Sequence, residues 1–227
     1  MTLRGVLFDL DGTLVDQDGA VTAALRSWLP RLGVDPTAEV QDFWLECQER
    51  HLVAWRERRI SFPEQRRRRL RDFLPAVGVS YVDDELDAVF EGYLRAYEQA
   101  WRRFDDVDDA LAVVAAAGLA VAVLTNGTIE QQNDKLARVG LAGRVGPVYT
   151  VEDLGVAKPH AGAFLGACER WGLPPARVLS IGDRHDLDVV AARAAGLRAV
   201  HLDRHDAGPA HERHRIRSLA ELSFQHG

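Results

Sequence analysis

Cysteine is nearly absent from this chain: Cys47 and Cys168 are its only two among 227 residues, too far apart for a metal knuckle or a redox pair. Two reduced, buried thiols are the expectation. Long apolar runs are missing as well. No stretch approaches the roughly 20 residues needed to span a bilayer, and the opening MTLRGVLFDL holds too short an apolar run for a secretory leader. The expected location is cytoplasmic, with no membrane partner. A basic excess is lacking too, since 28 Lys and Arg stand against 34 Asp and Glu. At a formal charge of −6 there is no general attraction for a nucleic-acid backbone, and none is expected as a partner. Internal repeats and low-complexity linkers are also absent.

What is present is an ordinary globular composition, 47% apolar and 27% charged, in a chain long enough to bury a full core. Short apolar runs at Gly5–Phe8, Leu119–Leu124, Val148–Val151, Val178–Ile181 and Ala199–Leu202 read as five buried strands. Segments with helical spacing lie between the later ones, at Val107–Ala117, Ile129–Val139, Ala161–Trp171 and Leu187–Ala195. Alternation of this kind predicts an α/β fold, a doubly wound parallel sheet.

The first two strands break the rhythm, because about a hundred helix-forming residues separate them. The spacing predicts helices over Ala20–Leu32, Thr37–Arg58, Pro63–Ala76 and Asp83–Arg103. Residues 16–103 are therefore expected to be an inserted helical domain, with 1–15 and 104–227 forming the α/β core. The insertion carries a dense arginine cluster, Arg56, Arg58, Arg59, Arg66, Arg67, Arg68, Arg69 and Arg71. Successive helical residues turn by about 100°, so these cannot all address one ligand. The expectation is a solvated face balanced by acidic neighbours.

Chemistry-bearing residues gather at the predicted strand ends. Asp9 and Asp11 follow the first strand in Phe8-Asp9-Leu10-Asp11-Gly12-Thr13-Leu14, and in extended chain residues i and i+2 share a face. Two close carboxylates repel, which favours a bound cation or one raised pKa, although Asp and Gly also make simple turns. Thr125 ends the second strand in Leu124-Thr125-Asn126-Gly127, before a helix start at Thr128. Its hydroxyl and the free N–H groups suit phosphoryl oxygens, or equally a helix cap. Lys158, ahead of Pro159, is one of very few lysines; it could neutralise an anion or be solvated surface. Asp183, Asp186 and Asp188 follow the fourth strand in Gly182-Asp183-Arg184-His185-Asp186-Leu187-Asp188, a set of hard oxygen donors suited to Mg²⁺.

Taken in order, these four segments resemble the four motifs of the haloacid dehalogenase (HAD) superfamily, with the insertion where that family carries a cap. The resemblance covers essentially the whole chain. It implies a central first strand between the second and fourth, and an Mg²⁺-dependent phosphatase acting on a small phosphorylated metabolite. By the resemblance Asp9 is the nucleophile that forms an aspartyl-phosphate, and Asp11 the general acid and base. Thr125, Asn126 and Lys158 would bind the phosphoryl group. Asp9, the Asp11 carbonyl oxygen and Asp183 would hold the metal, with Asp188 supporting them. The family's dehalogenases lack an acid at the position of Asp11, so its presence favours phosphoryl transfer. A phosphomutase of the β-phosphoglucomutase kind shares all four motifs, and a non-catalytic protein could keep the fold. Specificity in the family usually comes from the cap and the loop after the first motif, here Asp16 to Ala20, Trp44, Trp55 and Arg59. The histidines His201, His205, His211, His214 and His226 have no regular ligand spacing and are expected on surface loops.

Overall fold

A computed structural model describes residues 2–224. Its described residues divide into two compact units, one of residues 2–16 with 102–224 and one of residues 17–101.

The first unit is built on six parallel strands in the order β3-β2-β1-β4-β5-β6. They are β1 (Gly5–Phe8), β2 (Ala120–Leu124), β3 (Val148–Tyr149), β4 (Val178–Gly182), β5 (Arg198–Leu202) and β6 (Arg215–Ile216). β1 lies between β2 and β4, Gly5 pairing with both Ala120 and Val178. All four β1 residues are buried, as the uninterrupted apolar run requires of a central parallel strand. Helix α5 (Val107–Ala116) leads into β2, and α6 (Ile129–Arg138) and α8 (Ala161–Trp171) lie after β2 and β3 in the expected alternation. Leu7, Leu124, Phe164, Ala167, Val178 and Val189 belong to one core cluster joining strands to helices.

Three details differ from the sequence reading. The third strand stops at Tyr149, because Thr150 and Asp153 cap each other's backbone and start the short helix α7 (Val151–Leu154). The helix expected over Leu187–Ala195 forms, but it starts at His185 and its first part, His185–Val190, is a wide π-type turn that leads into α9 (Ala191–Ala194). That wide turn carries Asp188, and such turns recur at functional sites. β6 was not anticipated, since it is two residues long within a run of charge and lacks an apolar signature.

The second unit contains α1 (Gln17–Trp28), α2 (Ala38–Arg56), α3 (Phe62–Ala76) and α4 (Leu86–Gln99), with short 3₁₀ turns at Leu29–Leu32 and Asp83–Glu85. Thr37 caps α2 and Ser61 caps α3. The core of this unit is aromatic: Trp44 lies 4.5 Å from Tyr93, 5.0 Å from Phe73 and 5.3 Å from Trp28, ring centre to ring centre. Trp44 is thus a core residue.

The arginine cluster is largely a balanced, solvated face. Arg67 pairs with Asp87, Arg68 with Glu64, and Arg71 with both Glu64 and Asp83. Arg69 departs from that pattern. It is buried, donates to the side-chain oxygens of Gln48 and Gln65, and lies over the rings of Trp44 and Phe90. No helix among the described residues is long and apolar enough to cross a membrane, and both cysteines are free and buried.

Candidate active site

The carboxyl ends of β1, β2 and β4 converge, and the sheet's own ladder carries the functional residues to that edge. Asp9 N–H still donates to Ile181 O at 2.9 Å, and Thr125 N–H to Tyr149 O at 3.0 Å. After Asp9 the chain folds back on itself, with Gly12 N–H donating to Val15 O and Leu14 N–H to Leu10 O. Gly12 has φ +86°, and a Cβ there would sit 2.5 Å from a carboxylate oxygen of Asp183. Only glycine permits both the left-handed backbone and the approach of Asp183.

Lys158 is the hub. Its ammonium donates to Asp9 Oδ1 at 2.5 Å and to Asp188 Oδ1 at 2.6 Å, and all three residues are buried. One carboxylate oxygen from each of Asp9, Asp183 and Asp188 lies within 4.8 Å of the others. Burial pushes the Asp9 carboxyl up to about 7; Lys158 pulls against this, while Asp188 and Asp11 reinforce it. Burial also raises Asp183 well above the usual carboxylate range, with Asp9 and Asp188 adding like-charge repulsion. Burial works against the charge on Lys158, yet Asp188 and Asp9 hold its pKa above the ordinary value.

Three carboxylates around one ammonium leave the cluster acidic, and the donors are all oxygen. That chemistry fits a hard divalent cation, which would relieve the repulsion expressed in the raised carboxyl pKa values.

The remaining site residues singled out in the sequence lie around this cluster. Asn126 Nδ2 donates to Lys158 O at 2.9 Å and its Oδ1 accepts from Lys158 N–H at 2.8 Å. Its side chain is thus committed to holding the lysine loop, and its backbone is what remains for a ligand. Asp188 also accepts from Arg184 N–H at 3.0 Å, which fixes its second oxygen. The Asp11 carboxylate turns towards α6, where Gln132 and Lys135 donate to it. Thr125 is buried, with its hydroxyl accepting from Gln132 Nε2 at 2.6 Å.

Other participants escaped the sequence reading. Thr13 Oγ1 accepts from Asp183 N–H at 3.1 Å and lies 3.3 Å from Asp183 Oδ1, tying the first motif to the fourth. His201 was expected on a surface loop but is buried in β5, where Nε2–H donates to Asp183 O at 2.9 Å. His226 lies outside the described residues. Gln132 and Lys135, on α6, are both buried and both bonded to Asp11.

Comparison with known proteins agrees with the geometry. The profile of the haloacid dehalogenase-like hydrolases matches residues 3–196. A phosphoglycolate phosphatase of Escherichia coli O157:H7 is 31% identical over 211 residues, covering 88% of this chain and 81% of its own length. Its counterpart in Escherichia coli K12 is 30% identical with the same coverage. Among solved structures, a putative HAD hydrolase of Bacillus subtilis, YfnB, bound to magnesium, superposes with a TM-score of 0.84 at 23% identity, covering 97% of each chain. A 2-haloacid dehalogenase of Pseudomonas syringae gives a TM-score of 0.67 at 27% identity, covering 96% of each. With a profile match across most of its length, the chain belongs to the haloacid dehalogenase-like hydrolases.

Proposed function

We propose that this chain is a phosphatase that releases inorganic phosphate from a small phosphomonoester through an aspartyl-phosphate on Asp9. The observation that carries the reading is the Lys158 ammonium placed between Asp9 and Asp188, with Asp183 alongside and a second carboxylate, Asp11, two residues from the nucleophile. A nucleophile, a fixed cation and a separate acid are what in-line phosphoryl transfer needs from a protein.

In this reading an Asp9 oxygen attacks phosphorus while the bond to the leaving alcohol breaks. Asp11 gives that alcohol its proton, then takes one from the water that hydrolyses the aspartyl-phosphate. Lys158 and the Thr125 hydroxyl bind the phosphoryl oxygens. Asn126 holds Lys158 in place, and Asp188 holds the ammonium from its other side. Mg²⁺ bound by Asp9, Asp183 and the Asp11 carbonyl oxygen would neutralise phosphoryl charge. Halide departs without a proton, so a carboxylate at Asp11 favours a phosphate ester as substrate. The phosphoglycolate phosphatases among the relatives make 2-phosphoglycolate the first compound to assay. A cytoplasmic setting belongs to the same reading.

The test is phosphate release from a panel of small phosphomonoesters with Mg²⁺ present. Turnover abolished by EDTA and by Asp9→Asn supports the proposal. No release from any ester, or isomerisation that needs a bisphosphate primer, overturns it.

A further inference from the structure

The chain contains only two lysines, and both are buried against active-site carboxylates. Lys158 belongs to the cluster already described. Lys135 is 2% exposed and contacts Asp11 Oδ1, while Gln132, one turn earlier on α6, donates through Nε2 to Asp11 Oδ2 at 2.8 Å. Residues i and i+3 share a helix face, so one surface of α6 supplies both donors. Each oxygen of the Asp11 carboxylate is engaged once. Two fixed donors on two oxygens set the plane of the carboxyl group.

The Gln132 amide does a second thing. Its Nε2 is the atom that faces Asp11, donating to Oδ2. Its second hydrogen goes to Thr125 Oγ1 at 2.6 Å. The threonine oxygen accepts there, which leaves its own O–H to be donated elsewhere. Gln132 Oε1 is buried and has no hydrogen-bond partner among the described residues, so the amide is held by its donor end. The neighbouring backbone is shaped around it, since a Cβ on Gly127 would lie 2.4 Å from the Gln132 amide.

We infer that Gln132 and Lys135 are positioning residues: together they aim the Asp11 carboxyl at the leaving-group oxygen, and Gln132 turns the Thr125 hydroxyl towards the phosphoryl group. The inference rests on the phosphatase reading. In the step concerned, the Asp9 oxygen forms its bond to phosphorus, the ester O–P bond breaks, and the proton on Asp11 passes to the departing oxygen. A good leaving group such as dinitrophenolate departs without that proton, whereas an alkoxide does not. Misdirecting Asp11 therefore penalises alkyl esters selectively, which a loss of folding stability alone would not do.

The experiment compares kcat/KM for an alkyl monoester and for 2,4-dinitrophenyl phosphate in the wild type, Lys135→Met, Gln132→Met and Gln132→Glu, each with its Tm. The alkyl ester is expected to lose on the order of 10- to 100-fold more than the dinitrophenyl ester in every variant. KM is expected to rise for the Gln132 variants, which also release Thr125, and to stay near the wild-type value for Lys135→Met. Should Lys135→Met fail to fold, the near-isosteric Gln132 variants decide the matter alone. Equal losses on both esters, or an unchanged ratio, overturn the inference while leaving the phosphatase reading intact. Wild-type protein that hydrolyses neither ester overturns both.

Discussion

Lys158→Met removes the one ammonium between Asp9 and Asp188 and leaves a side chain of similar length. Its two contacts, 2.5 and 2.6 Å, join residues that are 3%, 8% and 2% exposed, so solvent cannot take over its role. Breaking a buried pair by deleting one partner costs about 3–5 kcal/mol. For a chain of this length, that corresponds to a fall in Tm of about 6–20 °C in EDTA. The loss depends on pH in a definite sense. Asp9 has a pKa of about 7 in the fold against an ordinary 3.8, so between those values the folded state holds a proton that the unfolded state releases. Stability therefore falls as pH rises through that window. Deleting Lys158 removes the influence that lowers the Asp9 pKa, so the deficit grows as pH rises above about 7, where only the wild type ionises Asp9, and is smallest and level below it. Mg²⁺ at about 100 times its Kd stabilises by about 2.7 kcal/mol, or about 5–11 °C in Tm, and its effect is larger in the variant, where the carboxylates have lost their counter-charge. Differential scanning fluorimetry across pH, with EDTA or Mg²⁺, measures all of this. A variant that melts with the wild type in EDTA, or whose metal response is the smaller of the two, refutes the reasoning.

Gly12→Ala places a Cβ 2.5 Å from the Asp183 carboxylate at φ +86°; backbone strain of about 1–3 kcal/mol and a weakened Mg²⁺-induced rise in Tm are expected. Glu212 is held well below its ordinary 4.5 first by Arg193, then by His214 N–H and His185, so its stabilising effect is present above pH 4.5 and lost as the pH falls below it. Glu212→Gln should cost about 1.5–3 kcal/mol at neutral pH and flatten the acid limb of the stability curve, as urea titrations at several pH values would reveal. Trp44→Ala removes a fully buried ring from the aromatic core of the second unit and should cost about 3–5 kcal/mol in the same assay.

Much of the α/β unit was legible because strand length, apolar runs and alternating helices carry strong periodic signals. The order of β1 between β2 and β4 followed from the family resemblance, and the sheet has that order. Signals vanish where elements are short or charged, which is why β6 was missed and why Val151 was assigned to a strand. A capping box between Thr150 and Asp153 outweighed β-branched propensity there. Within the site, Asp9 and Asp183 directly follow strand ends, so their convergence was foreseeable, whereas Lys158 lies beyond α7 and was placed by the family resemblance. Thr13, Gln132, Lys135 and His201 act through contacts across 18 to 170 residues of separation, which no local pattern encodes. His201 also stood among irregularly spaced histidines that resemble a surface loop, and burial in β5 distinguishes it.

The central claim is a covalent phosphoryl group on Asp9. Rapid acid quench during turnover of 2-phosphoglycolate or another accepted monoester, followed by peptide mass analysis, tests it directly. A single phosphoryl group is expected on the peptide containing Asp9, absent in Asp9→Asn. Phosphate release with no modified Asp9 peptide, or turnover undiminished in Asp9→Asn, would contradict it.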